Sequence, residues 1–168
     1  MGDAVNLADV DHLILTPALS MLPKEMGYPT ARAMLLAIGL QESRFTHRRQ
    51  IRGPARGFWQ FEVAGVRGIL THTLTRRPIT EVLHRLEYRN NEAVNVQPTL
   101  EHNDVLAACF ARLNLWWLPH ALPGPDSIIS AWDQYIEAWR PGKPHPQTWE
   151  PLYRRAWRYI ETGEDDAG

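Results

Sequence analysis

The sequence has a single cysteine, no long hydrophobic run and no excess of one charge. Cys109 has no second cysteine to pair with in the 168 residues, which excludes an internal disulfide and a cysteine-based zinc site. No apolar stretch approaches the ~20 residues that cross a bilayer. The 18 Lys and Arg against 19 Asp and Glu argue against a surface built wholly for nucleic acid. These absences exclude a disulfide-stapled mini-protein, a membrane-spanning protein and a generally basic nucleic-acid binder.

What is present is the composition of a globular domain. The sequence is 44% hydrophobic and 22% charged, and its length suits one domain. Seven tryptophans and thirteen prolines indicate many aromatic surfaces and many chain corners. No internal repeat or long linker divides the chain. We therefore expect one domain over residues 1–168, with a short, frayed acidic tail after residue 163.

Apolar residues at helical spacing predict a mainly α fold. A first amphipathic helix is expected over residues 13–22, bent near Pro17. The other predicted helices span residues 31–42, 61–73, 80–88, 103–117, 126–139 and 148–161. Residues 46–60 include a stretch with no clear period, which we interpret as a loop or a short hairpin.

Glu42 lies at the end of an apolar helical stripe. It follows Leu35 and Ile38 at i, i+3, i+7 spacing, so it continues the buried face of the helix. Burial raises the pKa of a carboxyl group. A Glu that stays protonated near neutral pH is suited to protonate a sugar oxygen as a general acid. The alternative is a Glu at a frayed helix end whose side chain turns into water.

A second segment, Gly57-Phe58-Trp59-Gln60, lies a short distance downstream. Glycine permits a tight turn and a close approach to a ligand, so we expect Gly57 in a conformation that a side chain would strain. The adjacent Trp and Gln supply a stacking face and an amide that both donates and accepts hydrogen bonds, which suits N-acetylated sugars. The alternative is a structural turn with buried aromatic side chains.

Together the two segments resemble the motifs of a known superfamily. Gln41-Glu42-Ser43-Arg44-Phe45, followed by Gly57-Phe58-Trp59-Gln60, looks like the Glu-Ser and Gly-Leu-x-Gln motifs of lytic transglycosylases and goose-type lysozymes. The resemblance covers residues 30–62 and implies a single-domain lysozyme-like helical fold. The segment also looks like small phage-type members of the superfamily. It places the catalytic acid at Glu42. The substrate-groove residues that it implies are Ser43, Gly57, Phe58, Trp59 and Gln60.

A later motif of that superfamily, a Tyr-Asn pair, is absent as such. Its nearest counterpart is the segment from Ile129 to Tyr135, in which Tyr135 or Trp132 would take the place of the groove tyrosine. We add Tyr135 to the candidate substrate-binding residues. The alternative is that Trp132, Tyr135 and Trp139, at i, i+3, i+7 spacing, form a stripe that packs into the core.

The resemblance implies cleavage of the β-1,4 bond between N-acetylmuramic acid and N-acetylglucosamine in peptidoglycan. In the lytic branch one Glu protonates the glycosidic oxygen and then takes the proton of the muramic acid 6-hydroxyl, which closes an anhydro ring. A hydrolase needs a second carboxylate roughly 5–10 Å away. The acids available for that role are Glu62, the next acid after Glu42 along the chain, and the more remote Glu87, Asp104 and Asp133. Since Glu62 equally suits the first turn of a helix, we favour the single-Glu mechanism. The non-catalytic alternative is a lysozyme-like structural component of a phage particle or secretion machine.

The remaining patterns concern partners and cofactors. Between Arg44 and Arg77 eight arginines stand against one acid, which suits an anionic partner such as peptidoglycan, or a solvated loop paired with acids elsewhere. Nucleic acid is the weakest candidate partner. No His-x-x-x-His or phosphate-loop pattern occurs, so we expect neither a metal nor a cofactor. Residues 1–11 lack the features of a secretory signal, so we expect synthesis in the cytoplasm and delivery to the wall by lysis, a virion or a secretion apparatus.

Overall fold

The helical periodicity of the sequence produces a fold of α-helices, as predicted. A computed structural model describes residues 5–166 of the chain. In chain order its α-helices are α1 Leu7–Asp9, α2 Thr16–Ser20, α3 Pro29–Ser43, α4 Val63–Thr71, α5 Arg76–Arg85, α6 Ala93–Val96, α7 Asp104–Trp116, α8 Ile128–Trp139 and α9 Pro146–Thr162. A π-helical segment, Val10–Leu15, joins α1 to α2, and 3₁₀ turns occupy Lys24–Met26 and Gln97–Glu101. No helix within residues 5–166 is long and apolar enough to cross a membrane.

Two apolar helices, α3 and α7, form the centre of the fold. Every residue of α3 from Ala33 to Leu40 is buried, and so is every residue of α7 from Leu106 to Leu115. A helix that is apolar on all sides needs cover on all sides. α3 packs against α7 and α9, and α7 also packs against α2, α4, α5 and α8. The C-terminal end of α3, which carries Glu42, therefore extends from a rigid core.

The bend expected near Pro17 takes the form of a change in helical register. The backbone N–H of Thr16 bonds to the carbonyl of Asp11, five residues earlier, which is the wide π spacing. Pro17 has no N–H and cannot donate into the preceding turn. The helix therefore widens before the proline and resumes as α2.

The segment between α3 and α4 is a loop. Among the described residues no strand forms, and the loop has isolated antiparallel bridges between Arg49 and Arg56 and between Arg56 and Phe61. The buried Gln97 ties the loop to the rest of the fold, because its amide nitrogen donates to the carbonyls of Pro54, at 2.8 Å, and Phe61, at 2.9 Å. Of the two interpretations of this segment, the structure therefore supports the loop, and two isolated bridges are its only hairpin-like feature among the described residues.

The acidic tail packs against the first helix, so the expectation of a frayed tail is wrong for residues 164–166. Asp165 accepts a hydrogen bond from the backbone N–H of Leu7, at 3.0 Å, and pairs with Arg155, at 2.7 Å. Asp166 pairs with Arg158 at 2.6 Å. A carboxylate suits the exposed N–H groups at a helix N-terminus. These contacts hold the two ends of the described chain together.

Candidate active site

An open cleft of about 1110 Å³ lies at the C-terminal end of α3. Its walls come from α3, the loop that follows it, α4, the end of α7, α8, and the segment between α8 and α9. This volume exceeds what a small-molecule pocket needs and suits an extended ligand. Residues that line the cleft include Gln41, Glu42, Gln50, Ile51, Gln60, Phe61, Glu62, His72, Trp117, Tyr135, Trp139, Arg140 and Lys143.

Glu42 lies in the wall of this cleft with a half-buried side chain. α3 ends one residue later, at Ser43, because Arg44 adopts a left-handed φ of 56°. Burial raises the pKa of Glu42 from 4.5 to about 7, an effect partly opposed by a hydrogen bond from Tyr135. Protonated and ionised forms are therefore both populated near neutral pH, as acid–base catalysis requires.

Tyr135, on α8, is the hydrogen-bond partner of Glu42. Its Oη lies 2.6 Å from Oε1 of Glu42. Burial, with the charge of Glu42, raises the pKa of Tyr135, so the phenol stays neutral and donates. The ring of Tyr135 stacks on Trp149, with centroids 5.1 Å apart and planes within 9°. Because the ring is packed in the core, the hydroxyl is held at one position on the cleft wall.

The sequence left open whether the stripe of Trp132, Tyr135 and Trp139 lines a substrate groove or packs into the core, and the structure shows both. Tyr135 is only 3% exposed, yet it also lines the cleft. Trp139 lines the cleft too, and its Nε1 donates to the carbonyl of Trp59 at 2.8 Å. Trp132 packs against Tyr135 and Trp149 instead. Tyr135 is thus the member of the stripe whose polar group meets Glu42.

Gly57 and Gln60 shape the loop side of the cleft. Gly57 has the conformation expected of it, a φ of +77°, and an added Cβ would lie 2.9 Å from the carbonyl oxygen of Leu100. Gln60 also has a positive φ, 52°, and its Nε2 donates to the carbonyl of Gly57 at 2.9 Å. A backbone conformation with positive φ is kept only where the surrounding structure holds it in place. In this loop conformation Gln60 lines the same cleft as Glu42.

Three of the expected substrate contacts are buried instead. Phe58 and Trp59 are both 0% exposed, and each packs edge-on against Phe45, at centroid distances of 5.4 and 5.8 Å. Ser43 is 5% exposed, and its hydroxyl accepts from the backbone N–H of Phe45 at 3.1 Å. The expectation that these side chains face substrate is therefore corrected, because a side chain inside the core offers no stacking face. Ser43, Phe58 and Trp59 instead pack in the core beneath the cleft wall.

The arginines between Arg44 and Arg77 are not among the residues that line the cleft. Arg48 pairs with Asp104 at 2.8 Å, and Arg49 and Arg56 pair with Glu101 at 3.1 and 3.2 Å. These three arginines thus form ion pairs with acids elsewhere in the fold, which was the second of the two interpretations of the segment. The cations that line the cleft are Arg140 and Lys143. Sequence reasoning missed both, because they lie in a proline-rich connection without periodicity.

Neither metal ligation nor similarity to known proteins adds to this description. Within the part of the chain that the structure describes, no group of three or more His, Cys, Asp and Glu could hold a metal ion. No protein-family model matches the chain, and neither the curated proteins nor the solved structures include a match. The chemistry of the cleft and the motifs in the sequence are therefore the features that indicate a function.

Proposed function

We propose that this protein cleaves the β-1,4 bond between N-acetylmuramic acid and N-acetylglucosamine in bacterial peptidoglycan, as a lytic transglycosylase of lysozyme-like type. The observation that carries the proposal is the Glu42 carboxyl, with a pKa near 7, in the wall of an open cleft and hydrogen-bonded by Tyr135. A sugar oxygen is a poor leaving group until an acid protonates it. The resemblance of residues 30–62 to the superfamily motifs supports the choice of substrate.

In the proposed mechanism Glu42 serves first as acid and then as base. Protonated Glu42 gives its proton to the glycosidic oxygen as the bond from C1 of the muramic acid breaks. The resulting carboxylate takes the proton of the 6-hydroxyl, whose oxygen forms the new bond to C1, so no water is consumed. The hydroxyl of Tyr135 stabilises the carboxylate between the two steps, since hydrogen bonding to the charged form favours it. The Gln60 amide suits an acetamido group of the substrate.

A hydrolytic muramidase is the second candidate, and one observation favours it. Glu62, the next acid after Glu42 along the chain, lines the same cleft as Glu42. Its side chain is exposed and stands directly before α4, where a carboxylate also complements the helix dipole. A hydrolase would use such a carboxylate to activate water and would release reducing ends.

The proposed activity is tested by digestion of purified cell-wall sacculi. We expect the wild-type protein to release soluble muropeptides and Glu42→Gln to lower the rate by at least about a hundredfold, because the amide keeps the shape but holds no acid proton. Glu161→Gln, an exposed acid on α9, is the matched control and should retain full activity. Circular dichroism confirms that both variants are folded.

Two other results of the digestion experiment would contradict the proposed activity. If neither the wild type nor Glu42→Gln releases muropeptides but both bind sacculi, the protein is a non-catalytic wall-binding component of a phage particle or secretion machine. A loss of only a few-fold in Glu42→Gln removes Glu42 from the catalytic role. Our proposal includes delivery from the cytoplasm to the wall by lysis, a virion or a secretion apparatus.

A further inference from the structure

The connection between α8 and α9 places two cations on the cleft that contains Glu42. We call residues Arg140–His145 the cationic rim. Its charged side chains, Arg140 and Lys143, are both exposed and both line the cleft. The ion pairs that the structure shows within residues 5–166 include neither of them. Both charges thus face the space that a substrate would occupy.

The cationic rim is anchored at its N-terminal end. Arg140 ends α8 in a left-handed conformation, with φ of 48°, and its backbone N–H bonds to the carbonyl of Ile136 at 2.9 Å. The preceding residue, Trp139, donates its indole N–H to the carbonyl of Trp59 at 2.8 Å. This contact fixes the start of the rim to the loop that carries Gln60.

The other end of the rim is anchored to the helix that carries Glu42. The amide nitrogen of Gln41 donates to the carbonyl of His145 at 3.1 Å, and the hydroxyl of Thr148 lies 2.9 Å from Oε1 of Gln41. Pro141 and Pro144, inside the rim, further restrict its backbone. The backbone that carries the two cations is therefore held in place before any ligand binds, which lowers the entropy cost of binding.

The charges in the cleft favour an anionic ligand at the rim. The carboxylates among the lining residues belong to Glu42, which is partly protonated near pH 7, and to Glu62. Glu137, the acid nearest to Arg140 along α8, has its carboxylate 3.8 Å from Nε2 of His120 and offers Arg140 only its backbone carbonyl, at 3.4 Å. An arginine fork and a lysine ammonium are the groups that proteins use for carboxylates.

We propose that Arg140 and Lys143 form a subsite for the carboxylates of the peptide stems that peptidoglycan carries on its muramic acid residues. This inference rests on the proposed function, because it assigns a part of the same substrate to the same cleft. Each stem starts from the sugar whose glycosidic bond would be cut, so its carboxylates lie beside the glycan strand. The subsite would favour stem-bearing strands over bare or neutral ones.

The test is co-sedimentation with sacculi in the inactive Glu42→Gln background, so that binding is measured without cleavage. The probes are native sacculi and sacculi whose carboxyl groups have been converted to amides with carbodiimide and ammonia. The rim variant is Arg140→Gln with Lys143→Gln. The matched control is Arg67→Gln with Arg85→Gln, which removes two exposed charges outside the cleft. Lys143→Gln alone is added because no hydrogen bond of the fold depends on this side chain in the described structure.

We expect the rim variant to bind native sacculi about tenfold more weakly than its parent does, as the loss of a charge-assisted contact predicts. On amidated sacculi the rim variant and its parent should bind equally well. Lys143→Gln alone should show part of that loss, and the control none. Equal binding by the rim variant and its parent would overturn the inference, as would the same loss on both kinds of sacculi or in the control. If the wild type digests sacculi in any of these cases, the proposed function stands while the subsite fails. A wild type that neither binds nor digests sacculi removes both.

Discussion

The hydroxyl of Tyr135 lies 2.6 Å from Oε1 of Glu42 and joins two helices whose contacting residues are 93 positions apart in the sequence. One partner lies near the C-terminal end of the buried helix α3, and the ring of the other is stacked on Trp149. Groups carried by packed helices are held more firmly than groups on loops. The pair therefore has the fixed geometry that proton transfer needs, and each half can be tested separately.

Tyr135→Phe should raise the pKa of Glu42 beyond its value of about 7. The hydroxyl stabilises the carboxylate, and phenylalanine removes that hydrogen bond but keeps the ring on Trp149. The high-pH limb of the activity profile should move to higher pH, and the maximal rate should fall about tenfold, as for one lost hydrogen bond to a charged group. Tyr153→Phe is the control, because Tyr153 also stacks on Trp149 but bonds to the carbonyl of Gly124. An unchanged profile in Tyr135→Phe would refute the role assigned to the hydroxyl.

Glu42→Gln should stabilise the folded protein, and the gain should depend on pH. Folded Glu42 keeps its proton up to about pH 7, whereas in the unfolded chain it loses the proton near 4.5. Between these values the folded state binds more protons, so the free energy of unfolding of the wild type falls as pH rises. The variant should match the wild type below pH 4.5 and exceed it by about 2–3 kcal/mol above pH 7. Urea denaturation at pH 4 and pH 8 measures the difference, and an equal gain at both would contradict the burial of this charge.

Gly57→Ala should destabilise the loop that carries Gln60. The φ of +77° disfavours any side chain, and the new Cβ would lie 2.9 Å from the carbonyl of Leu100. We expect a loss of about 1–3 kcal/mol in the free energy of unfolding. Gly68→Ala is the control, because its Cβ would meet nothing within 4 Å and alanine is the better residue inside α4. If both variants unfold at the same denaturant concentration, the strain at Gly57 is not significant.

The position of Glu42 was predictable from the sequence because α3 has an uninterrupted apolar pattern. Leu35, Ile38 and Glu42 share one face by spacing alone, and the fold buries that face. The main helices were predicted for the same reason, with ends shifted by a few residues. α6 and the turn Gln97–Glu101 were missed, since elements of four or five residues have no measurable period.

The contacts that complete the candidate site were not predictable in this way. Phe58 and Trp59 lie in a loop, where no periodicity tells which side chains point inward, and the resemblance implied that both contact the substrate. The pairing of Tyr135 with Glu42 depends on how α8 packs, and α8 alone shows only an aromatic stripe. Gln41 also reaches the rim, through His145, across 104 positions of sequence. Such contacts arise only when distant elements pack together.

The products of cleavage should end in 1,6-anhydromuramic acid, and Glu62→Gln should leave the rate nearly unchanged. Glu42 can give and then recover one proton, whereas Glu62 is exposed and its side chain does not cap α4. A solvated carboxylate without fixed geometry is a poor activator of water, so the 6-hydroxyl of the substrate is the better placed nucleophile. Mass spectrometry of muropeptides distinguishes the two outcomes, because an anhydro end is lighter than a reducing end by one water. If reducing ends dominate and Glu62→Gln is inactive, the enzyme is a two-carboxylate hydrolase in which Glu42 remains the acid.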